Sequence, residues 1–501
     1  MELFGQVLTE LFSLYTLFLL VAGVSVGILG GILPGISNTM TVALVATVTF
    51  TMDPLSAVIL LVAAQMGATY GGSITSTVLN IPGSPASAAT VLEGYPMTKR
   101  GEGDKALSIN AISSFFGNTT GALLLLLILP VFVVIAMNFL SYEMFWFAVF
   151  GIVICAQLAK ADFVKGLMAG AVGLLLGTVG MDPIHGSLRL TMDVSALNAG
   201  ISLIPAMVGL FGMAEVFNYL ASSEFDALKV NKGKLFYWKE FWEHKWLALR
   251  VTVLGFIVGI LPGVGPNIAS WIGYDHAKTT SKDKETFGTG RVEGLIGSET
   301  SSNSCAAGAY APLLAVGIPA DNITAIVLGV LLVHGVQPGP TFIANNPIWV
   351  YMVVSSILMA GVLFLFIGTL LSKVLIRVIT IPMPATMAIV TLLCIIGAFA
   401  SNNRITDIYQ MFIFGIVGWV MTKNGFPVPP LILGILLSNM IDSFFRRGLI
   451  ASMGEYSIFF TRPISMVLIA LLLLTCFRGF VSPVLKARKE KKKAAANQEK
   501  E

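Results

Sequence analysis

The stretch Gly30-Gly31-Ile32-Leu33-Pro34-Gly35 returns as Val258-Gly259-Ile260-Leu261-Pro262-Gly263, and Asn80-Ile81-Pro82-Gly83-Ser84 has a weaker echo in Gly317-Ile318-Pro319-Ala320-Asp321. Each half of the chain opens on an LPG break and later carries an IP break, the pattern of a duplicated unit. Proline removes a backbone donor and glycine frees the chain, so each of these points interrupts a helix. In hydrocarbon an interrupted helix leaves N–H and C=O groups unpaired at several kcal/mol each. Such breaks persist only where protein or a water-filled cavity satisfies them. They therefore mark the expected substrate site.

The composition around the breaks is that of a membrane protein. Of 501 residues, 55% are hydrophobic and 12% charged, against about 25% charged in soluble proteins. Apolar runs of transmembrane spacing recur, among them Leu123 to Leu140, Phe145 to Gln157, Gly200 to Leu220, Val350 to Leu371 and Met466 to Cys476 with its flanks. The expected fold is an all-α polytopic membrane protein of roughly 10–14 membrane segments, re-entrant helical hairpins included. The N-terminus has neither a basic n-region nor a small-residue cleavage site, so no cleaved signal peptide is expected.

Basic residues orient the halves. No Lys or Arg precedes Lys99, and Lys99, Arg100 and Lys105 follow the first IP break; in the second half Lys278, Lys282, Lys284 and Arg291 fall between the LPG and IP breaks, and nothing basic follows until Lys373. If basic loops stay inside, equivalent loops lie on opposite faces, as two inverted-topology repeats require. Two parallel copies would need the charges to be placed by chance. The reading divides the chain into a first transmembrane repeat (1–221), a basic cytoplasmic linker (222–250), a second repeat with C-terminal helices (251–480) and a tail (481–501). In that tail Lys486, Arg488, Lys489, Lys491, Lys492 and Lys493 read as cytoplasmic.

Three stretches could carry chemistry. In the first, Ser37, Asn38 and Thr39 follow the LPG break directly and can cap the next half-helix. A half-helix N-terminus suits a carboxylate, and carbonyls released by the break suit a cation; ordinary capping would use the same residues. The second runs from Tyr70-Gly71-Gly72-Ser73 through Asn80, Pro82, Gly83 and Ser84 to Glu93-Gly94-Tyr95-Pro96-Met97. Its break has the look of a hairpin tip dipping into the membrane, although a plain turn explains the proline and glycine equally. The third holds Glu299, Ser301, Ser302 and Asn303 and ends at Gly317, Pro319 and Asp321. Glu299 and Asp321 stand among small or apolar residues, and ionisable groups at membrane depth are costly enough to imply function. With Asn38 and Asn303 they are the candidates for holding Na+ or a proton, unless both acids lie in interfacial water.

Absences narrow the function. No GxxxxGK[ST] loop is present, which argues against ATP hydrolysis within the chain. His185, His244, His276 and His334 have no zinc spacing, and His334 reads as a satisfied helix-end residue. Cys155, Cys305, Cys394 and Cys476 have no CxxC spacing and read as small buried hydrophobes. No cofactor is expected, and no metal beyond Na+ at the breaks.

At these residues the chain resembles the large membrane subunit (TctA type) of bacterial tripartite tricarboxylate transporters. The resemblance runs through GxLPG at Gly31 to Gly35, YGGS at Tyr70 to Ser73, NIPGSP at Asn80 to Pro85, TVLEGYPM at Thr90 to Met97 and GILPGVG at Gly259 to Gly265. It continues through FGTGRVEG at Phe287 to Gly294, PLLAVGIP at Pro312 to Pro319, HGVQPGP at His334 to Pro340, GFPVPPLILG at Gly425 to Gly434 and FFTRPIS at Phe459 to Ser465. It implies a small membrane subunit (TctB type) and a periplasmic solute-binding protein (TctC type) as partners. It also implies secondary transport of a di- or tricarboxylate in the bacterial inner membrane, driven by Na+ or H+. Ser37-Asn38-Thr39 is also similar to the hairpin-tip motif of dicarboxylate/sodium symporters, which favours an elevator-like carrier.

Two departures matter. Where the family carries a PExxNNA-like stretch, this chain has Ser298-Glu299-Thr300-Ser301-Ser302-Asn303-Ser304; where GIPG is usual, it has Gly317-Ile318-Pro319-Ala320 followed by Asp321. A carboxylate there repels an anionic substrate unless a cation or proton neutralises it, and the substrate stays open. The expected function is a non-enzymatic carrier. An intramembrane enzyme with Glu299 and Asp321 as acid and base on a lipid-type substrate, or a passive anion channel, are the alternatives.

Overall fold

The computed structural model describes residues 2–33, 36–79, 84–136, 140–158, 163–182, 187–219, 236–261, 265–370, 383–477 and 479–480. Its principal helices, in chain order, are α1 (Leu14–Ile32), α2 (Asn38–Ala46), α3 (Pro54–Leu79), α4 (Ala88–Lys99), α5 (Gly103–Ala136), α6 (Ser141–Leu158), α7 (Phe163–Gly177) and α8 (Lys245–Ile260). After these come α9 (Gly265–Thr280), α10 (Val292–Gly308), α11 (Tyr310–Val316), α12 (Asn322–Val333), α13 (Pro347–Leu370), α14 (Met383–Asn402), α15 (Ile405–Lys423) and α16 (Val428–Ala451). One small antiparallel pair, β1 (Gly180–Met181) and β2 (Leu188–Arg189), joins them with Gly180 opposite Arg189. Six described helices are long and apolar enough to cross a bilayer, and shorter apolar helices accompany them. The chain is thus an all-α, multi-pass membrane protein in its architecture.

Contacts divide the chain into two compact units, Met1–Met137 with Ser202–Trp419, and Asn138–Ile201 with Val420–Glu501. In the first, glycines bring helix backbones together. A Cβ at Gly27 or Gly31 of α1 would stand 2.3 Å from the Ala64 or Ala68 carbonyl oxygen of α3. Likewise, a Cβ at Gly255 or Gly259 of α8 would stand 2.2 or 2.3 Å from the Ser301 or Cys305 carbonyl oxygen of α10. Lipid gives apolar side chains no drive to leave it, so close backbone approach through small residues is what holds such helices.

Helices of the two halves also pair with each other. Gly117 of α5 lies against Thr300 of α10, and Gly368 of α13 against Tyr70 of α3, where Tyr70 stacks on Phe364 at a 5.1 Å centroid separation.

Helix α5 starts 20 residues before the apolar run that announces it, at Gly103 rather than Leu123. Asn110, Ser113, Ser114 and Asn118 lower the hydropathy there, yet all are buried. Asn110 Nδ2 donates to Thr77 Oγ1 at 2.7 Å and Asn118 Nδ2 to the Ile357 carbonyl at 2.6 Å. Interior partners thus let polar residues share a membrane helix. The run Gly200 to Leu220 likewise holds a widened π turn, Val208–Met213, between two short α-helical pieces.

In the second unit α7 and α16 pack backbone to backbone, with a Gly173 Cβ 2.1 Å from the Leu431 carbonyl oxygen. Asp182 pairs with Arg189 at 2.6 Å and Arg446 at 3.0 Å, and Asp442 pairs with the same arginines at 3.2 and 2.9 Å. These pairs between two acids and two bases pin the β1–β2 strands to α16. Buried Glu143 pairs with Arg462 and caps the start of α6 by accepting the Leu140 N–H at 2.9 Å.

Candidate functional site

The first LPG break ends α1 at Ile32, and Pro34 and Gly35 lie outside the described residues. Past it, Ser37 caps α2 by accepting the Met40 N–H at 3.1 Å. Asn38, next along, is buried and turns to α3, its Nδ2 donating to Thr69 Oγ1 at 3.5 Å while its Oδ1 has no partner. Thr39 is half-buried on the same turn. Capping therefore accounts for Ser37 and not for Asn38.

Asn80, Pro82 and Gly83 lie outside the described residues. Beyond them Ser84 is buried and its hydroxyl has no partner. Its N–H donates to Ser87 Oγ at 3.2 Å, and that hydroxyl donates to the Ser84 carbonyl at 3.0 Å.

The second IP break repeats this bracket with a carboxylate. Gly317 closes α11 at φ 77°, and a Cβ there would meet the Pro338 carbonyl oxygen at 2.5 Å. Pro319 is buried. The Asp321 N–H donates to Thr324 Oγ1 at 2.9 Å, and Asp321 Oδ1 accepts the Thr324 amide at 2.8 Å and hydroxyl at 2.7 Å, capping α12. Asp321 Oδ2 is buried without a partner. The first described residue past the second LPG break lies beside it: a Gly265 Cβ would stand 3.4 Å from Asp321 Cβ.

From the first of these tips runs a chain of buried polar groups. Thr69, which receives Asn38, donates to the Gln65 carbonyl at 2.9 Å; Gln65 Oε1 accepts the Tyr310 hydroxyl at 2.5 Å, and Gln65 Nε2 has no partner. Asn38, at the break of the first half, is thus linked through Thr69 and Gln65 to Tyr310 of the second half.

Earlier on α10, Glu299 is buried among hydroxyls, accepting from Thr90 at Oε1 and from Ser114 at Oε2, the latter at 3.0 Å. Asn303 Nδ2 donates to the Glu299 carbonyl at 2.9 Å, leaving its Oδ1 buried and unpartnered, as is Ser302 Oγ. Ser301 donates to the Ala269 carbonyl at 2.8 Å and so ties α10 to α9.

Of the expected residues, Asn38, Ser84, Ser302, Asn303 and Asp321 each keep a buried polar atom without a partner, and Glu299 is a buried carboxyl group among hydroxyls. Sequence reasoning missed Gln65, Thr69, Thr90, Ser114 and Tyr310. Gln65 did carry a signal, an amide alone in the apolar run of α3, whereas the hydroxyls are too common to mark themselves. His334 donates Nε2–H to the Thr49 carbonyl at 3.1 Å at the end of α12, as a helix-end residue does. Cys305 and Cys394 are buried free thiols. Among the described residues no three His, Cys, Asp or Glu side chains gather as a metal site.

The two halves also share a register. Gly27 and Gly31 meet Ala64 and Ala68; Gly255 and Gly259 meet Ser301 and Cys305. Eighteen residues separate Ala64 from Pro82 and Ser301 from Pro319, and fourteen separate Ala68 from Pro82 and Cys305 from Pro319. Counted from either proline, Ser84 and Ser87 fall where Asp321 and Thr324 fall.

A multi-pass helical protein with unpaired polar atoms buried beside its helix breaks has the make-up of a membrane transport component. Residues 17–433 match the family described as the tripartite tricarboxylate transporter TctA family, and the chain belongs to that family. Over 472 residues it is 34% identical to an uncharacterized 52.8 kDa protein of the TAR-I ttuC' 3' region of Agrobacterium vitis, covering 94% of each chain. Over 217 residues it is 32% identical to an uncharacterized protein of the TAR-II ttuC' 3' region of the same organism, covering 43% of this chain and 90% of the relative. No solved structure matches the chain.

Proposed function

We propose that the chain is the large transmembrane subunit of an ion-gradient-driven importer of small organic anions, di- or tricarboxylates, and that it works as a carrier and not as an enzyme. The observation that carries this reading is the set of buried, unpartnered polar atoms at the breaks and on α3 and α10. Leaving a buried donor or acceptor unmade costs about 1–3 kcal/mol, so six such atoms at the breaks and on α3 and α10 fit a ligand that satisfies them. They divide by chemistry. Gln65 Nε2, Ser84 Oγ and Ser302 Oγ can donate to a carboxylate, and Asn38 Oδ1, Asn303 Oδ1 and Asp321 Oδ2 can accept from a cation. Both together suit co-transport of an anion with Na+ or H+, the cation offsetting the repulsion between Asp321 and the substrate.

The shared register supports two repeats, and the basic loops support their inversion. In this reading the tips close on the substrate from opposite sides and move, elevator-like, against the smoother helices. The subunit would lie in the bacterial inner membrane with its C-terminus cytoplasmic. A small TctB-type membrane subunit would accompany it, and a TctC-type binding protein would deliver substrate. Labelling of single cysteines from outside should reach 335–347 and not 278–291; the reverse pattern removes the inversion.

Reconstitution with di- and tricarboxylates under imposed Na+ or proton gradients tests the function. Gradient-dependent uptake that is lost in Asn38→Ala and Asn303→Ala, with membrane expression intact, is the expected result. Parental uptake in both variants rejects the site; uptake indifferent to any gradient identifies a channel, and turnover of substrate to product an enzyme.

A further inference from the structure

Glu93 is a buried carboxylate on α4 that no basic side chain meets among the described residues. Its partners are instead a tyrosine and three backbone amides. Oε1 accepts the Tyr274 hydroxyl at 2.8 Å and the Gly288 N–H at 2.6 Å; Oε2 accepts the Gly290 and Arg291 N–H groups, each at 2.7 Å. Gly288 and Gly290 take φ of 92° and 102°, a left-handed backbone that turns successive N–H groups toward one point. Such a nest binds anions, and this one opens directly onto the N-terminus of α10, whose dipole favours negative charge. The Arg291 side chain is turned to Asp283 and Glu293.

The loop is held from α4 a second time, since Arg100 donates to the Thr289 carbonyl and, at 3.2 Å, to the Gly290 carbonyl. One turn back along α4 from Glu93 stands Thr90, whose hydroxyl meets Glu299 and lies 3.3 Å from Ser298 Oγ. Helix α4 therefore grips the start of α10 through Glu93 and its middle through Thr90.

We infer that Glu93 is a positioning residue: an internal carboxylate seated in the Gly288–Arg291 nest, which fixes the start of α10 on α4 and so sets where Glu299 and Asn303 stand. The consequence for transport rests on the reading of those two as coupling and substrate groups.

Hydrogen exchange and uptake on the full chain with Glu93→Ala and Glu93→Gln test it. In Glu93→Ala the amides of Gly288, Gly290 and Arg291, and those from Glu299 to Asn303, should exchange faster by about tenfold or more, the loss expected for charge-assisted hydrogen bonds. Formate, a carboxylate small enough for the vacated nest, should restore their protection in the variant and change nothing in the parent. Glu93→Gln, with one acceptor oxygen left, should fall between. In uptake KM should rise while the maximal rate per folded protein holds. Unchanged exchange at the three loop amides overturns the nest. Faster exchange that formate does not reverse, with KM unchanged, reduces Glu93 to an ordinary stabilising contact and overturns the positioning role. If the parent takes up no carboxylate, the proposed function fails, while exchange from Glu299 to Asn303 still decides whether Glu93 positions α10.

Discussion

At Asp321 one carboxylate has two tasks. Oδ1 caps α12 and Oδ2 is left without a partner, with Gly265 close to the side chain. Substitution can separate them. Asn keeps an oxygen for the Thr324 amide and loses the charge, so Asp321→Asn should keep the parental melting temperature while its uptake loses dependence on the coupling ion or needs far more of it. Asp321→Ala should in addition lose about 1 kcal/mol of stability with the cap. Parental ion dependence in Asp321→Asn would take Asp321 out of the coupling site. Gly317 is tested by stability alone. At φ 77° with the Pro338 carbonyl 2.5 Å from a Cβ, Gly317→Ala should cost about 1–3 kcal/mol, the scale of strain at such positions, read as a lowered melting temperature in detergent. Both residues were legible in the sequence, because a proline break and an acid among apolar residues are local signals. Tyr310 was not: its hydroxyl matters through Gln65, 245 residues away, and one sequence contains no measure of that distance.

At the scale of helices, the breaks could be read and the seams between helices could not. LPG and IP show themselves because proline and glycine contradict the apolar runs around them. Gly23, Gly27 and Gly31 show nothing in hydropathy, yet their four-residue spacing is the small-residue pattern by which membrane helices approach, and it went unread. So did the polar first half of α5, where Asn110 and Asn118 lower the hydropathy but find partners on α3 and α13. The seams are the more sensitive feature. In Gly27→Leu and Gly259→Leu the first side-chain carbon alone would stand 2.3 Å from a carbonyl oxygen, so the helices must separate along their length. Both variants should fail to give monodisperse protein by size exclusion. Gly5→Ala, with nothing within 4 Å of the added carbon, should purify like the parent. Normal behaviour of Gly259→Leu would mean that α8 and α10 are not closely packed.

Over the whole first unit, the pairing of helices crosses between the halves of the sequence. Within each half α1 packs on α3 and α8 on α10, but α5 lies against α10 through Gly117 and Gly121, and α13 lies against α3 through Gly368 and against α5 through Gly361. A half made alone would leave these glycine faces and the buried hydroxyls beside them, Ser114 and Thr300 among them, without the partners that satisfy them. Each unsatisfied group in hydrocarbon costs several kcal/mol, more than one half can offset by its internal packing. The polar, lysine-bearing sequence from Ser222 to Lys234, ahead of the buried Phe241 and the start of α8, is the place to cut. Two fragments divided there should each be degraded when expressed singly. Expressed together, they should co-purify, resist protease and restore uptake, because what joins the halves is the interior and not the linker. A first half that is stable and monodisperse alone would show that the crossed pairing contributes little, and would favour two repeats that fold independently and dock afterwards.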